Sequence, residues 1–301
     1  MKPDICIYHS KCADGFTAAW AVWKRWGDDV EYFPGVYGEA APDVTGKRVL
    51  MVDFSYKRPV LEEMSGQAVD ITILDHHKTA QADLETFAIL NPVSADDIDE
   101  VLESTQPGLG NIRAEFDMNR SGAMMAWHFC HPFNIAPRLV QHVQDRDLWR
   151  FELPGTRAIQ ASVFAHAYDF GTWNWLAEIC EVDGGRERLI AEGEAIERKH
   201  FKDIAELLSI CTREMVIGGH RVKVANLPYT MSSDAANALA DGAPFGACYF
   251  DRGDGQRVFS LRSKPDGLDV AEIAASYGGG GHARASGFQV PIGWEGDPSH
   301  A

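Results

Sequence analysis

The sequence predicts a two-part α/β protein: an N-terminal domain on a parallel sheet, a connecting helix, and a smaller α+β C-terminal domain. Three observations carry that expectation. Short apolar runs alternate with helix-like segments from residue 5 to residue 90, a charged stretch at 186–210 repeats its apolar residues at helical spacing, and strand-like runs broken by turn residues follow it. The expected boundaries are 1–185, 186–210 and 211–301.

Residues 5–8 (ICIY) read as the first strand, and 16–26 (FTAAWAVWKRW) as a helix stopped by Gly27. Residues 49–52 (VLMV) and 71–74 (ITIL) are the next two strands, with helical character between them at 59–64. Residues 87–90 (FAIL), ahead of Asn91-Pro92, read as a fourth strand. The polar, acidic stretch 93–120 reads as a long loop, after which Ser121 is placed to cap a helix over 123–129, with further helical sequence at 139–143. In the connecting segment Leu189, Ile196, Phe201, Ile204 and Leu208 recur among many charges. Residues 215–224, 247–250 and 258–261 then read as strands of a small mixed sheet, with hairpin material at 251–255 (DRGDG). A helix over 270–277 runs into Gly278, Gly279, Gly280 and Gly281.

Composition narrows the function classes. The chain of 301 residues is 45% hydrophobic, enough to bury real cores, and has neither a long apolar run nor a basic-then-apolar leader, so no membrane span or secretion is expected. Six scattered cysteines without a CxxC pair suit a reducing cytoplasm. A formal charge of -16 repels duplex nucleic acid unless a local basic patch overrides it, which leaves small or short anionic substrates. Part of that charge is the kind that ligates cations, since carboxylates around a metal are nearly neutral once loaded.

The chemistry-bearing residues fall at strand ends. His9 follows the first strand, Asp53 the second, and Asp75-His76-His77 the third. In an open parallel sheet the carboxyl ends of all strands share one edge, so the three ends deliver these groups to one crevice. Imidazole with carboxylate suits a divalent ion such as Mn, Co, Fe or Mg. A pair of such ions roughly 3.5–4 Å apart activates a water and clamps the attacking and leaving oxygens of a phosphoryl displacement.

In order, YHSKCADGF (8–16), VDFS (52–55), LDHH (74–77) and QDRDLW (144–149) resemble the four motifs of the DHH phosphoesterases. The segment SLRSKPDGLDVAEIAASYGGGGHARASGF (260–288) resembles the DHH-associated C-terminal domain of the oligoribonuclease and nucleotide phosphoesterase branch. The resemblance implies that His9, Asp14, Asp53, His76 and one aspartate of the fourth motif bind metal, Asp145 being the first choice and Asp147 the alternative. It implies one or two divalent ions, Mn before Mg, Co or Fe, with Asp53 shared between two. Asp75 would ligate or orient His76, and His77 would face the substrate phosphate. Cys12 stands two residues before the Asp14-Gly15 pair, where the family usually has an aspartate; it reads either as a ligand for a softer ion or as a small buried hydrophobe. Arg262 and His282 are expected to bind the substrate phosphate, with Gly279, Gly280 and Gly281 letting it approach backbone N–H groups.

The implied function is hydrolysis of a phosphodiester or phosphomonoester in a short single-stranded oligonucleotide or small nucleotide by metal-activated water. The alternatives are a pyrophosphate or polyphosphate hydrolase and a catalytically weakened nucleotide-binding protein. No duplex and no membrane partner is expected, and a homodimer is left open. His128, His131, His142, His166, His200, His220 and His300 lack motif context and read as structural or surface residues. Trp20, Trp23 and Trp26, and with them Trp173 and Trp175, read as packing residues, and Arg120 reads equally as a substrate contact or a surface residue.

Overall fold

Strand residues that are apolar on both faces need two covering layers, and the N-terminal strands receive them. The computed structural model describes residues 2–90 and 110–298. By their contacts these form two units: one runs to His76 and includes Ala80–Ile196, and the other holds His77–Thr79 with the described residues from Glu197 onward. In the first unit β1 (Ile5–His9), β2 (Glu31–Gly35), β3 (Arg48–Val52), β4 (Asp70–Asp75) and β5 (Ile112–Phe116) form a sheet in the order β2-β1-β3-β4-β5, every pair parallel. Ile5, Ile7, Val49, Met51, Ile71 and Ile73 pack with Leu61 and Met64 of α2 (Arg58–Ser65) and Leu84 and Phe87 of α3 (Lys78–Leu90). Cys6, Leu50, Val52 and Leu74 enter the opposite core with α1 (Ala13–Trp26), α4 (Gly122–Cys130), α5 (Arg138–Asp147), α6 (Thr156–Phe164) and α7 (Phe170–Glu181). This is the parallel sheet covered on both faces that the sequence predicts. The strand order reverses between β1 and β3, and the crevice at such a switch point is where open α/β sheets hold ligands.

Two expectations are corrected. Residues 87–90 are not a strand but the end of α3, whose Ala80, Leu84 and Phe87 are buried at helical spacing. A short apolar run closing a helix has the same local texture as a strand. The outer strands are instead β2 and β5, and β5 lies inside the stretch expected to be loop; residues 93–109 of that stretch, like His300, lie outside the described residues.

The helix α8 (Asp183–Cys211) contains the division between the units, at Ile196 and Glu197, and carries Lys199–Asp203 and Lys202–Glu206 pairs one turn apart. In the second unit β6 (Thr212–Ile217), β7 (His220–Asn226), β8 (Gly246–Asp251), β9 (Gln256–Arg262), β10 (Gly280–His282) and β11 (Ala285–Pro291) make a mixed sheet in the order β10-β11-β9-β8-β7-β6. Only β7 and β8 run parallel there. The helices α9 (Ser232–Leu239) and α10 (Val270–Ser276) bury Ala235, Ala236 and Leu239, and Val270 and Ala274, in its two cores. Trp20 and Trp173 are fully buried, whereas Trp175 is exposed. Among the described residues no helix is long and apolar enough to cross a membrane.

Candidate metal centre

Each cluster residue reaches the sheet edge through a local device. β1 ends at His9, and α1 starts so close to it that a Cβ on Gly15 would stand 2.3 Å from the His9 carbonyl oxygen. Only glycine permits that approach, and it brings Asp14, in the first turn of α1, beside the strand end. Asp53 follows β3 with φ 56°, a left-handed conformation that aspartate tolerates better than most residues, and its N–H bonds the Leu74 carbonyl at 2.9 Å. Asp75 closes β4, accepting from the His76 backbone N–H at 2.7 Å and from Ser55 Oγ at 3.0 Å.

Three carboxylates converge on one imidazole nitrogen. His76 Nε2 lies 3.0 Å from Asp53 Oδ1, 3.5 Å from Asp147 Oδ2 and 3.6 Å from Asp14 Oδ2, and His9 Nδ1 lies 3.4 Å from Asp53 Oδ2. Asp14, Asp53 and His76 each offer one atom, all within 4.8 Å of one another, and all three are buried. Asp14 is steered by accepting from the Gly122 N–H at 2.6 Å and the Ala123 N–H at 3.1 Å, at the positive N-terminus of α4. Burial, then the neighbouring Asp53 and Asp147, pushes the Asp14 carboxyl well above its usual range. Burial also opposes charge on Asp53, but the His76 bond and the two imidazoles outweigh it and hold that carboxyl well below its range. Burial lowers His9 and His76; Asp53 and Cys12 more than reverse it for His9, and Asp53, Asp147 and Asp14 do so for His76. Asp53 Oδ2 is buried without a hydrogen bond, and a set of carboxylate and imidazole donors fits a divalent cation.

In the fourth motif the structure brings Asp147, the alternative, and not Asp145, the first choice, beside His76. Asp145 and Asp147 are two apart on α5, about 200° around a helix, so they do not share a face. Asp147 stands at the cluster. Asp145, only 4% exposed, faces away and accepts from the Glu152 N–H (2.9 Å), the Leu153 N–H (3.1 Å) and Thr156 Oγ1 (2.5 Å), which ties down the turn between α5 and α6.

Cys12 is the N-cap residue of α1 and makes no side-chain cap bond; burial, then Asp53, pushes its thiol up, and His9 beside it pulls the other way. In the second unit the ring of His77 stacks on that of His282 at 4.8 Å. Arg262 donates to the Leu261 carbonyl and to Ser233 Oγ, each at 2.8 Å. The glycine run is no slack turn: Gly280, Gly281 and His282 pair with Gly287, Ser286 and Ala285, and a Cβ on Gly279 would lie 2.1 Å from the Gly287 carbonyl oxygen. Arg120 is ion-paired with Glu115 and Asp117.

Sequence reasoning missed Gly122, where a Cβ would lie 2.3 Å from Asp53 Cβ. The available signal was the Ser121-Gly122 pair at a helix start, where Ser121 Oγ accepts from the Met124 N–H as expected of a cap. Ser55, which holds Asp75, lies inside a motif already singled out.

No family model matches the chain. It is 29% identical to uncharacterized protein R106 of Acanthamoeba polyphaga mimivirus, over 95% of this chain and 67% of that protein. It is 24% identical to oligoribonuclease NrnB of Bacillus subtilis (strain 168), over 73% of this chain and 53% of the relative, so it spans about half of that protein's length. Among solved structures, the DHH domain of a member of a ribosomal protein family aligns with a TM-score of 0.53 at 14% identity, over 95% of this chain and 82% of that one, a likeness of fold. The chain thus shares the fold of that DHH domain and carries the motifs that resemble the DHH family at the strand ends of that fold.

Proposed function

We propose that the chain is a metal-dependent phosphoesterase that hydrolyses phosphodiester or phosphomonoester bonds of short single-stranded oligonucleotides or small nucleotides. The observation that carries this reading is the convergence of Asp14, Asp53 and Asp147 on His76 Nε2, with His9 at the other oxygen of Asp53. These residues would hold a divalent cation, Mn first and Mg, Co or Fe as alternatives, which supplies Lewis-acid polarisation of the phosphoryl group and a water acidic enough to attack at neutral pH. Asp53 offers one oxygen to each histidine, which suits it to be shared between two ions. The two N–H groups on Asp14 and the Asp75 bond to the His76 backbone keep the ligands oriented, so little reorganisation is left for the reaction. His77 is assigned to the substrate phosphate, and Arg262, Gly279, Gly280, Gly281 and His282 to substrate binding. Catalysis thereby belongs to residues 1–185 and substrate binding to 211–301, with 186–210 connecting them. A short substrate is supported by the net charge of -16 and by the oligoribonuclease among the relatives.

Cys12, in place of a family aspartate, favours one second reading, a catalytically weakened nucleotide-binding protein. The test is turnover of short RNA and DNA oligomers, cyclic dinucleotides, adenosine bisphosphate and pyrophosphate with Mn or Mg, before and after chelation, for wild type, Asp53→Ala and His76→Ala. Metal-dependent hydrolysis of a nucleotide ester, lost in both variants while they stay folded, is the expected outcome. Binding without turnover selects the weakened protein, and preference for pyrophosphate selects an anhydride hydrolase. Near-normal turnover by either variant removes the cluster from the mechanism.

A further inference from the structure

The metal centre leaves one charge pattern unused. In a chain of net charge -16, Arg146, Arg150 and Arg157 share one short segment with Trp149, Phe151 and Phe164. The Arg157 guanidinium lies 4.1 Å from the Phe151 ring centre and 5.5 Å from that of Trp149. Arg146 lies 4.6 Å from Phe164 and 5.9 Å from Trp149, and Trp149 meets Phe151 edge-on at 5.0 Å. Phe164 is 41% exposed, and Trp149, Phe151, Arg146 and Arg157 are half-buried, so the cluster lies at the surface of its unit.

The backbone under the rings is unusual. Trp149 and Phe151 have φ 56° and 54°, in the left-handed region that bulky side chains rarely adopt and that recurs at ligand sites. Asp145 holds them there. Its carbonyl oxygen accepts from the N–H groups of Arg150 and Phe151, and its carboxylate from those of Glu152 and Leu153. One residue therefore fixes a turn that starts beside Asp147 of the metal centre and carries the indole two residues later. Successive Cα atoms are about 3.8 Å apart, so the Cα of Trp149 lies within about 7.6 Å of that of Asp147, roughly the length of a nucleoside phosphate.

We propose that Trp149, flanked by Phe151 and Arg157, is the platform on which a nucleobase of the single-stranded substrate stacks, with Arg146 and Arg157 facing its adjoining phosphates. The proposal rests on the phosphoesterase reading and deepens it. Every base has a π face, so an aromatic platform beside a catalytic centre binds single strands without reading sequence. Guanidinium planes stack and neutralise phosphate at once, which supplies the local basic patch an acidic protein needs for a polyanion.

The test uses the full chain loaded with Mn and two calorimetric titrants: a phosphorothioate trinucleotide and its abasic counterpart. Trp149→Asn removes the ring and keeps a residue at home in the left-handed region, so the turn survives; Trp149→Phe keeps a ring. Wild type is expected to prefer the base-containing ligand. Trp149→Asn should bind it roughly tenfold to hundredfold more weakly and lose that preference, and Trp149→Phe should recover most of both. A folded Trp149→Asn protein with wild-type affinity, or a wild type that does not prefer the base-containing ligand, overturns the platform. If only the phosphoesterase reading fails, preference and its loss in Trp149→Asn persist while no metal-dependent turnover of the parent trinucleotide is seen.

Discussion

Gly122→Ala separates steric placement of Asp53 from helix propensity. Residue 122 opens α4, has no positive φ, and on propensity alone alanine would stabilise the helix by up to about 1 kcal/mol. Its Cβ, however, would lie 2.3 Å from Asp53 Cβ, 2.8 Å from Asp53 Cα and 2.9 Å from Asp53 Cγ. Ordinary contact begins at 3.4 Å, so the two elements must part by about 1 Å. Asp53 has little freedom to give way, because its amide is bonded to Leu74 and its backbone is already left-handed. Overpacking of this kind costs about 1–3 kcal/mol, which the propensity gain offsets in part. The thermal midpoint should therefore fall by only a few degrees. A ligand displaced by about 1 Å loses far more in catalysis, on the order of a hundredfold. Titration calorimetry with Mn and kcat/KM on a nucleotide substrate measure the effect. A folded Gly122→Ala protein that keeps metal affinity and turnover within about twofold of wild type refutes the claim that this packing positions Asp53.

Asp147→Ala should abolish metal binding with little change in stability. Asp145→Ala should lower stability by about 1–3 kcal/mol, because two part-buried N–H groups and the buried Thr156 hydroxyl lose a carboxylate acceptor; the same result for both variants in melting and metal titration would dissolve the distinction. Cys12→Asp, which replaces a soft or absent ligand with a hard one, should change metal occupancy or the Mn-to-Mg preference, measured by mass spectrometry and activity titration. Unchanged stoichiometry and preference assign Cys12 to packing. Arg262→Ala and His282→Ala should each reduce kcat/KM on a nucleotide roughly tenfold to hundredfold and spare a small generic ester. Equal loss on both substrates would place these residues in the chemical step.

Interior strands were legible in the sequence and edge strands were not. β1, β3 and β4 are short apolar runs because both faces are covered, and their ends stood out as His9, Asp53 and Asp75. β2 (EYFPG) and β5 (IRAEF) carry charges, and in β2 a proline, because an edge strand pairs on one side only. Their burial alternates or stays partial, so no apolar run marks them. His9, Asp53 and His76 were legible for the same reason as the strands whose ends they occupy, whereas Asp14, on α1, was marked only by the resemblance to the DHH motifs. The choice between Asp145 and Asp147 was not legible, since it depends on which face of α5 meets the His76 ring and on a turn closed from Glu152, Leu153 and Thr156. Gly122 was equally hidden, because what it accommodates lies 69 residues away.

Gathering three carboxylates at one sheet edge is costly for a fold, and the chain neutralises them unevenly. Asp53 has two imidazoles and Asp14 has two N–H donors at a helix terminus, yet Asp147 adds a third carboxylate 3.5 Å from the nitrogen that Asp53 already occupies. Burial first, and that repulsion after it, raise the Asp14 carboxyl. A divalent cation relieves the repulsion, because it leaves every carboxylate ionised and turns repulsion into ligation. The same logic separates the two aspartates of the fourth motif without reference to any family. A carboxylate that serves the fold is surrounded by donors, as Asp145 is by two N–H groups and a hydroxyl. In its proposed role Asp147 is instead set against other carboxylates around one imidazole, an arrangement that makes physical sense once a cation is shared among them.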